Sequence, residues 1–136
     1  MCISVVSAGD IKSKGASSKK ELASLYRQYF EKKDTQNIRS LVYWPGVLDF
    51  ERNSFNRSVN YDMEFKLQKI EIAPLDKNQM LEYTREGITY KPTLKPLCKL
   101  VATYVPHGDL DKLSTSYLVG VRDKRYYIIL ASPASK

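Results

Sequence analysis

Histidine, tryptophan and cysteine are nearly missing from this chain of 136 residues, which holds His107, Trp44 and two cysteines, Cys2 and Cys98. One histidine and two distant cysteines without CxxC spacing cannot assemble a zinc or haem ligand set. No metal or other cofactor is therefore expected. Nor is a disulfide framework needed, because a domain of this length buries roughly 68% of the surface its unfolded chain exposes. Cys98 stands in "PLCKLVATY", where a small buried hydrophobe is favoured over a reactive thiol. Long apolar runs are also missing: nothing approaches the about 18 residues of a membrane span. "MCISVVSAGD" has neither the charged start nor the long apolar centre of a signal peptide. GxSxG, GxxxxGKS, HExxH and GxGxxG are all absent, and with them the signatures of several hydrolase and nucleotide chemistries.

Cys2 admits two readings. A mature bacterial lipoprotein begins at cysteine, and here a Ser/Lys/Gly stretch follows. A cell-envelope or secreted protein whose signal peptide had been removed looks like this. The plainer reading, a soluble cytoplasmic protein with cysteine as its second residue, is preferred.

With 43% hydrophobic and 27% charged residues the chain is globular, and its length fits one domain. Ten tyrosines outnumber four phenylalanines. Each tyrosine brings a ring that packs and a hydroxyl that seeks a partner, so a partly polar interior is expected. The net charge of +7 invites an anionic partner, nucleic acid included. Apart from Lys12, Lys14, Lys19 and Lys20, however, the cations are scattered among acids. That pattern argues against nucleic-acid binding, which needs clustering on one face.

Residues 1–17, with "GDIKSKGASSKK" running across their end, read as a flexible tail. The domain proper spans 18–133. Ser18 and Glu21 form a capping box, and Leu22, Leu25, Tyr26, Tyr29 and Phe30 make an apolar stripe at helical spacing. Asp34 or Thr35 caps a shorter helix with Ile38, Leu41 and Val42, which ends before "YWPG". Leu48, Phe50 and Phe55 suggest a third short helix, against which the Asn and Ser content of residues 47–62 counts.

From residue 64 the period becomes two. In "EFKLQKIEI", Phe65 and Leu67 fall on one face and Ile70 and Ile72 on the other, which predicts a bulge near Gln68–Lys69. "MLEYTREGITYKP" reads as a hairpin about Glu86–Gly87, and Pro92 and Pro96 confine "KPTLKP" to a loop or sheet edge. "LCKLVATYV" is a central strand. In "STSYLVGVRDKRYYIIL", a two-residue turn at Asp123–Lys124 places Arg122 opposite Arg125, Val121 opposite Tyr126 and Val119 opposite Ile128. Tyr117 and Tyr126 then join the inner face. Leu118, Tyr127 and Ile129 form an outer apolar patch between Arg122 and Arg125, a surface suited to a homodimer.

Helices followed by a strand meander predict an α+β fold, with two or three N-terminal helices packed on a mainly antiparallel sheet. The opening "KKELASLYRQYFEKKDTQNIRSLVY" and the closing "TSYLVGVRDKRYYIIL" resemble the nuclear transport factor two-like superfamily, the cystatin-like fold. Lys124 replaces that family's usual Gly, and Tyr126 or Tyr127 its usual Trp. The resemblance implies a curved, cone-shaped sheet wrapped around the first helix, with a cavity at its open end. Fold does not fix function, and members include both enzymes and binding domains.

Enzymes of this kind place an Asp, a His or both in the cavity as general base. Asp62, Glu64 and His107 are the residues here that fit such a lyase or isomerase. A loop setting for His107 and a strand-start setting for the two acids make solvated positions the plainer reading. A non-enzymatic domain that binds an unidentified small molecule or protein fits better. Tyr26, Tyr29, Trp44, Tyr104, Tyr117 and Tyr126 are the candidate lining of an aromatic cavity between the first helix and the sheet, although for any one ring taken alone filling the core is the favoured reading.

Overall fold

The computed structural model describes residues 12–78, 81–106 and 114–134. The architecture is α+β, with helices largely preceding a curved, open, mainly antiparallel sheet. The elements are α1 (Lys19–Glu31), α2 (Thr35–Arg39), β1 (Val42–Tyr43), α3 (Asp49–Asp62), β2 (Leu67–Ala73), β3 (Tyr83–Arg85) and β4 (Ile88–Pro92). They continue with β5 (Cys98–Tyr104), β6 (Ser114–Arg122), β7 (Arg125–Ile129) and β8 (Ala131–Pro133). The main sheet runs β1-β7-β6-β5-β2, and only the β1–β7 pair is parallel. A smaller sheet runs β3-β4-β8, and the chain passes from one sheet to the other at Leu130.

Local chemistry explains most of these elements. Ser18 caps α1 by accepting from the Glu21 amide at 3.0 Å, and the Glu21 carboxylate reaches back to the Ser17 amide at 2.8 Å. That second bond holds the Glu21 carboxyl below its usual pKa. Leu22, Tyr26 and Phe30, four residues apart, are buried. The bulge expected in β2 lies between Leu67 and Lys69 and turns Leu67, Ile70 and Ile72 alike toward the core. In β5, Cys98, Leu100, Ala102 and Tyr104 are buried and alternate with half-buried neighbours. The β6–β7 hairpin has the register read from the sequence, with Arg122 opposite Arg125 and Val119 opposite Ile128. Asp123 and Lys124 both take positive φ, 51° and 66°, the turn geometry that matches the strand twist.

Three expectations need correction. The third helix is not short: α3 is a 14-residue helix with Phe55, Val59 and Asp62 on its buried side. Residues 12–17 are not a tail. Ala16 is fully buried and bridges Tyr126, the Lys14 and Gly15 amides donate to the Ser40 carbonyl, and Arg125 donates to the carbonyls of Lys14 and Gly15. The rest of the proposed tail, with Cys2, lies outside the described residues.

The outer patch offered as a dimer face is also largely covered by the chain itself. Tyr127 is 8% and Ile129 3% exposed, and Leu118 is half-buried. Tyr43 packs edge-on against Tyr127 at 5.2 Å. The segment after β4 crosses at Gly120, where a Cβ would lie 3.0 Å from Leu94 Cβ and 3.2 Å from the Lys95 carbonyl. A side chain there would push the crossing segment outward by a few tenths of an ångström.

Gly15 tests the docking of the N-terminal segment. Its φ is +62°, and a Cβ there would meet the Tyr126 carbonyl and the Tyr127 ring at 2.6 Å. Gly15→Ala is expected to lower unfolding stability by roughly 2–4 kcal/mol, combining backbone strain and overpacking. Urea denaturation of the variant checks this; a loose segment would show no change.

Candidate functional site

Three elements bring polar groups into the aromatic core. On α1, Tyr26 and Phe30 share the buried face. On α3, the spacing of Phe55, Val59 and Asp62 carries the same face to the helix end, so Asp62 is 0% exposed. On the sheet, Tyr104 closes β5, and Thr115 and Tyr117 lie two residues apart on β6, on one face of the strand.

The rings form a continuous shell. Tyr26 lies 5.9 Å from both Phe30 and Tyr117, and Phe55 lies 5.5 Å from Tyr117. Tyr104 lies 5.9 Å from Phe30 and 5.7 Å from Phe65. A directed hydrogen-bond chain runs within the shell. The Tyr104 hydroxyl donates to Thr115 Oγ1 at 3.1 Å, and Thr115 Oγ1 donates to Asp62 Oδ2 at 2.9 Å. An ionised carboxylate only accepts, which fixes the direction of the chain. The hydroxyls of Tyr26 and Tyr117 are buried and lie close enough to act on each other, and Tyr117 on Ser58, but among the described residues neither makes a hydrogen bond of full geometry. Each such group costs about 1–3 kcal/mol in lost hydration.

Burial, with the Asp62 charge next, pushes the Tyr117 phenol up to about 12. Burial, followed by the neighbouring Tyr117 and Tyr104, raises Tyr26 well above the ordinary range. Tyr104 is raised as well, chiefly by burial. All three stay protonated donors at neutral pH.

Of the six nominated rings, Tyr26, Tyr104 and Tyr117 meet at this cluster. Trp44 touches it through Phe55 at 5.9 Å, but its Nε1 is committed to the Arg39 carbonyl at 2.7 Å. Tyr29 and Tyr126 are half-buried against the core and make no ring contact with the cluster among the described residues. Of the proposed bases, Asp62 is inside, Glu64 is exposed, and His107 lies outside the described residues. Phe30 was part of the sequence stripe, but Thr115 was missed. A threonine in a strand carries no signal of its own until its facing residues are known.

The chain matches nothing in the comparisons. Family models, curated proteins and solved structures were each searched without a match.

Among the described residues, surface concavities of about 220–270 Å³ lie elsewhere and are lined by none of the six rings. Among the described residues no group of three His, Cys, Asp or Glu side chains could hold a metal ion. What the cluster offers is one carboxylate and the hydroxyls of Thr115, Tyr104, Tyr26 and Tyr117, enclosed by apolar rings. Such a set can grip one small polar group, or take a proton from it.

Hydroxyls with and without partners should respond oppositely to removal. Tyr26→Phe and Tyr117→Phe are expected to leave stability unchanged or raise it by up to about 1 kcal/mol, whereas Tyr104→Phe lowers it by about 1 kcal/mol. Urea midpoints of the three variants decide this, and equal losses in all three would mean that every hydroxyl is bonded. The phenols also predict an alkaline instability. Unfolded tyrosine ionises near about 10 while the buried ones hold their protons, so the unfolded state releases protons first. Stability then falls from about pH 10 upward, by about 1.4 kcal/mol per pH unit for each such tyrosine. Urea midpoints from pH 9 to 11, with phenolate absorbance at 295 nm, report it, and Tyr117→Phe should flatten the slope.

Proposed function

We propose that this chain is a binding domain of the nuclear transport factor two-like type, non-enzymatic, whose cone interior takes a small polar molecule at Asp62, Tyr26 and Tyr117. The observation that carries this reading is the pair of buried hydroxyls on Tyr26 and Tyr117, which interact with each other but form no hydrogen bond of full geometry, beside a buried carboxylate. A core needs the rings but gains nothing from hydroxyls left without partners. A ligand that bonds both would recover their cost. The order of helices and strands, and the packing of α1 against the sheet, agree with the family resemblance.

Thermal unfolding in the presence of a panel of small hydroxylated, carbonyl and amine compounds tests the reading. A compound at a hundred times its Kd stabilises the folded state by about 2.7 kcal/mol, which raises Tm by several degrees in a domain of this size. The rise is expected in the wild type and should be lost in the Tyr26→Phe/Tyr117→Phe double variant, which itself remains folded. A panel in which every shift survives in the double variant rules out this site.

One observation favours a second reading, a lyase or isomerase with Asp62 as base. Of the acids weighed for that role, Asp62 is fully buried among hydroxyl groups, whereas Glu64 faces solvent. The Thr115 hydroxyl holds that carboxylate in place, as a general base requires. Chemical conversion of a bound compound, abolished by Asp62→Asn while binding persists, separates this reading from simple binding.

A further inference from the structure

The side of α3 away from the core builds a second site of different chemistry. Phe50, Asn53, Ser54 and Arg57 recur at intervals of three or four on the helix and line a cleft of about 270 Å³. Tyr83 and Arg85, two residues apart on β3, point to the same side of that strand and close the opposite wall.

The groups in this cleft hold one another in place. The Arg85 guanidinium lies over the Phe50 ring at 4.6 Å. Tyr83 stacks on Tyr90 at 5.0 Å with the planes 13° apart, and Tyr90 meets Phe50 edge-on at 5.4 Å. The Tyr83 hydroxyl donates to the Glu51 carboxylate. That bond directs the cleft's one acid toward a phenol and not toward either arginine. Among the described residues, neither Arg57 nor Arg85 forms an ion pair, whereas neighbouring Arg52 is paired with Asp49 at 2.8 Å. Two guanidinium forks therefore line a cleft that holds a single carboxylate, Glu51, and neither is paired with it; the Ser54 hydroxyl and the Asn53 amide lie alongside.

We propose that this cleft binds a small molecule carrying an oxyanion, phosphoryl or carboxyl, together with a hydrogen-bond donor such as a hydroxyl or ammonium. The planar fork of arginine matches the oxygens of such an anion in bidentate geometry. Ser54 and Asn53 supply further donors. The Glu51 carboxylate, at the other end of the lining, accepts from the ligand's donor. The site shares no residue with the Asp62 cluster and does not depend on it.

Isothermal titration at low ionic strength with phosphoserine, inorganic phosphate and L-glutamate tests this. Phosphoserine carries the oxyanion and the ammonium together, phosphate the oxyanion alone, and glutamate replaces the phosphoryl by carboxyl. Saturable one-to-one binding of phosphoserine or glutamate is expected, at least tenfold tighter than phosphate, and the tighter of the two identifies the anion. Arg57→Gln and Arg85→Gln should each weaken it at least tenfold, and Glu51→Gln should bring the best ligand down toward phosphate. Arg85→Lys, which keeps the charge and loses the fork, is the control for folding and should fall between wild type and Arg85→Gln. Arg122→Gln, at the exposed end of β6, should change nothing. Two results overturn the proposal. One is no saturable binding of any of the three probes; the other is binding that Arg122→Gln weakens as much as Arg57→Gln, which is general attraction to a basic protein.

Discussion

The hydrogen bond from Thr115 Oγ1 to Asp62 Oδ2, 2.9 Å long, joins the end of α3 to the start of β6 inside a shell of aromatic rings. A carboxylate taken wholly out of water costs several kcal/mol unless its oxygens are bonded, so the groups around it must be placed accurately. Tyr104 donates into the same chain from β5, which ties the neighbouring strand to the arrangement. With the end of α3 held there, Phe55 and Val59 on the same helix face reach the sheet, and α1 lays Tyr26 and Phe30 against them. Yet a well-packed apolar core often matches or exceeds a polar one in stability. The Thr115 hydroxyl, backed by Tyr104, needs an acceptor at position 62, which an apolar side chain of equal volume would not supply.

Much of the framework was legible because its signals are local. The α1 stripe is one face of one helix, and the Ser18–Glu21 cap acts within a single turn. The β6–β7 register followed from one two-residue turn, after which every pairing was determined. The β2 bulge showed as a break in alternation between Leu67 and Ile70. The Asp62 cluster was only half legible. Leu48 leaves α3 without a side-chain cap, and its Asn and Ser residues are weak helix formers, so the helix rests on tertiary contacts along Phe55 and Val59. Read as an irregular stretch, residues 47–62 turn Asp62 into a surface acid at the start of a strand. Once they are helical, the spacing from Phe55 through Val59 puts it on the buried face.

Composition misled where small and polar residues are used for close approach. Gly, Ser and Lys before residue 18 read as a linker, but Gly15 is glycine because the Tyr127 ring and the Tyr126 carbonyl leave no room for a Cβ. Gly15 and Lys14 both donate their amides to the Ser40 carbonyl and accept from Arg125 at their own carbonyls. The segment after β4 does the same on the other half of the outer sheet face, crossing at Gly120. Both covers come from parts of the chain far from the strands they protect. The apolar patch on Tyr127 and Ile129 that suggests a partner is therefore supplied with one by the chain itself.

Charge tells a similar story on α3. The surplus of +7 looked diffuse when counted along the sequence, and a diffuse surplus has no address for a ligand. In three dimensions what matters is which cations have been neutralised. Asp49 is taken by Arg52, and Glu51 is turned to Tyr83. Neither acid of the first helical turn is paired with Arg57 or Arg85, and in their cleft two guanidinium groups outnumber the one carboxylate of Glu51. The same 14-residue helix thus presents a buried carboxylate on one side and the Arg57 guanidinium on the other, where Arg85 of β3 joins it. Opposite charges separated by the body of a helix select different ligands, so the two sites can be occupied, and their occupants identified, independently.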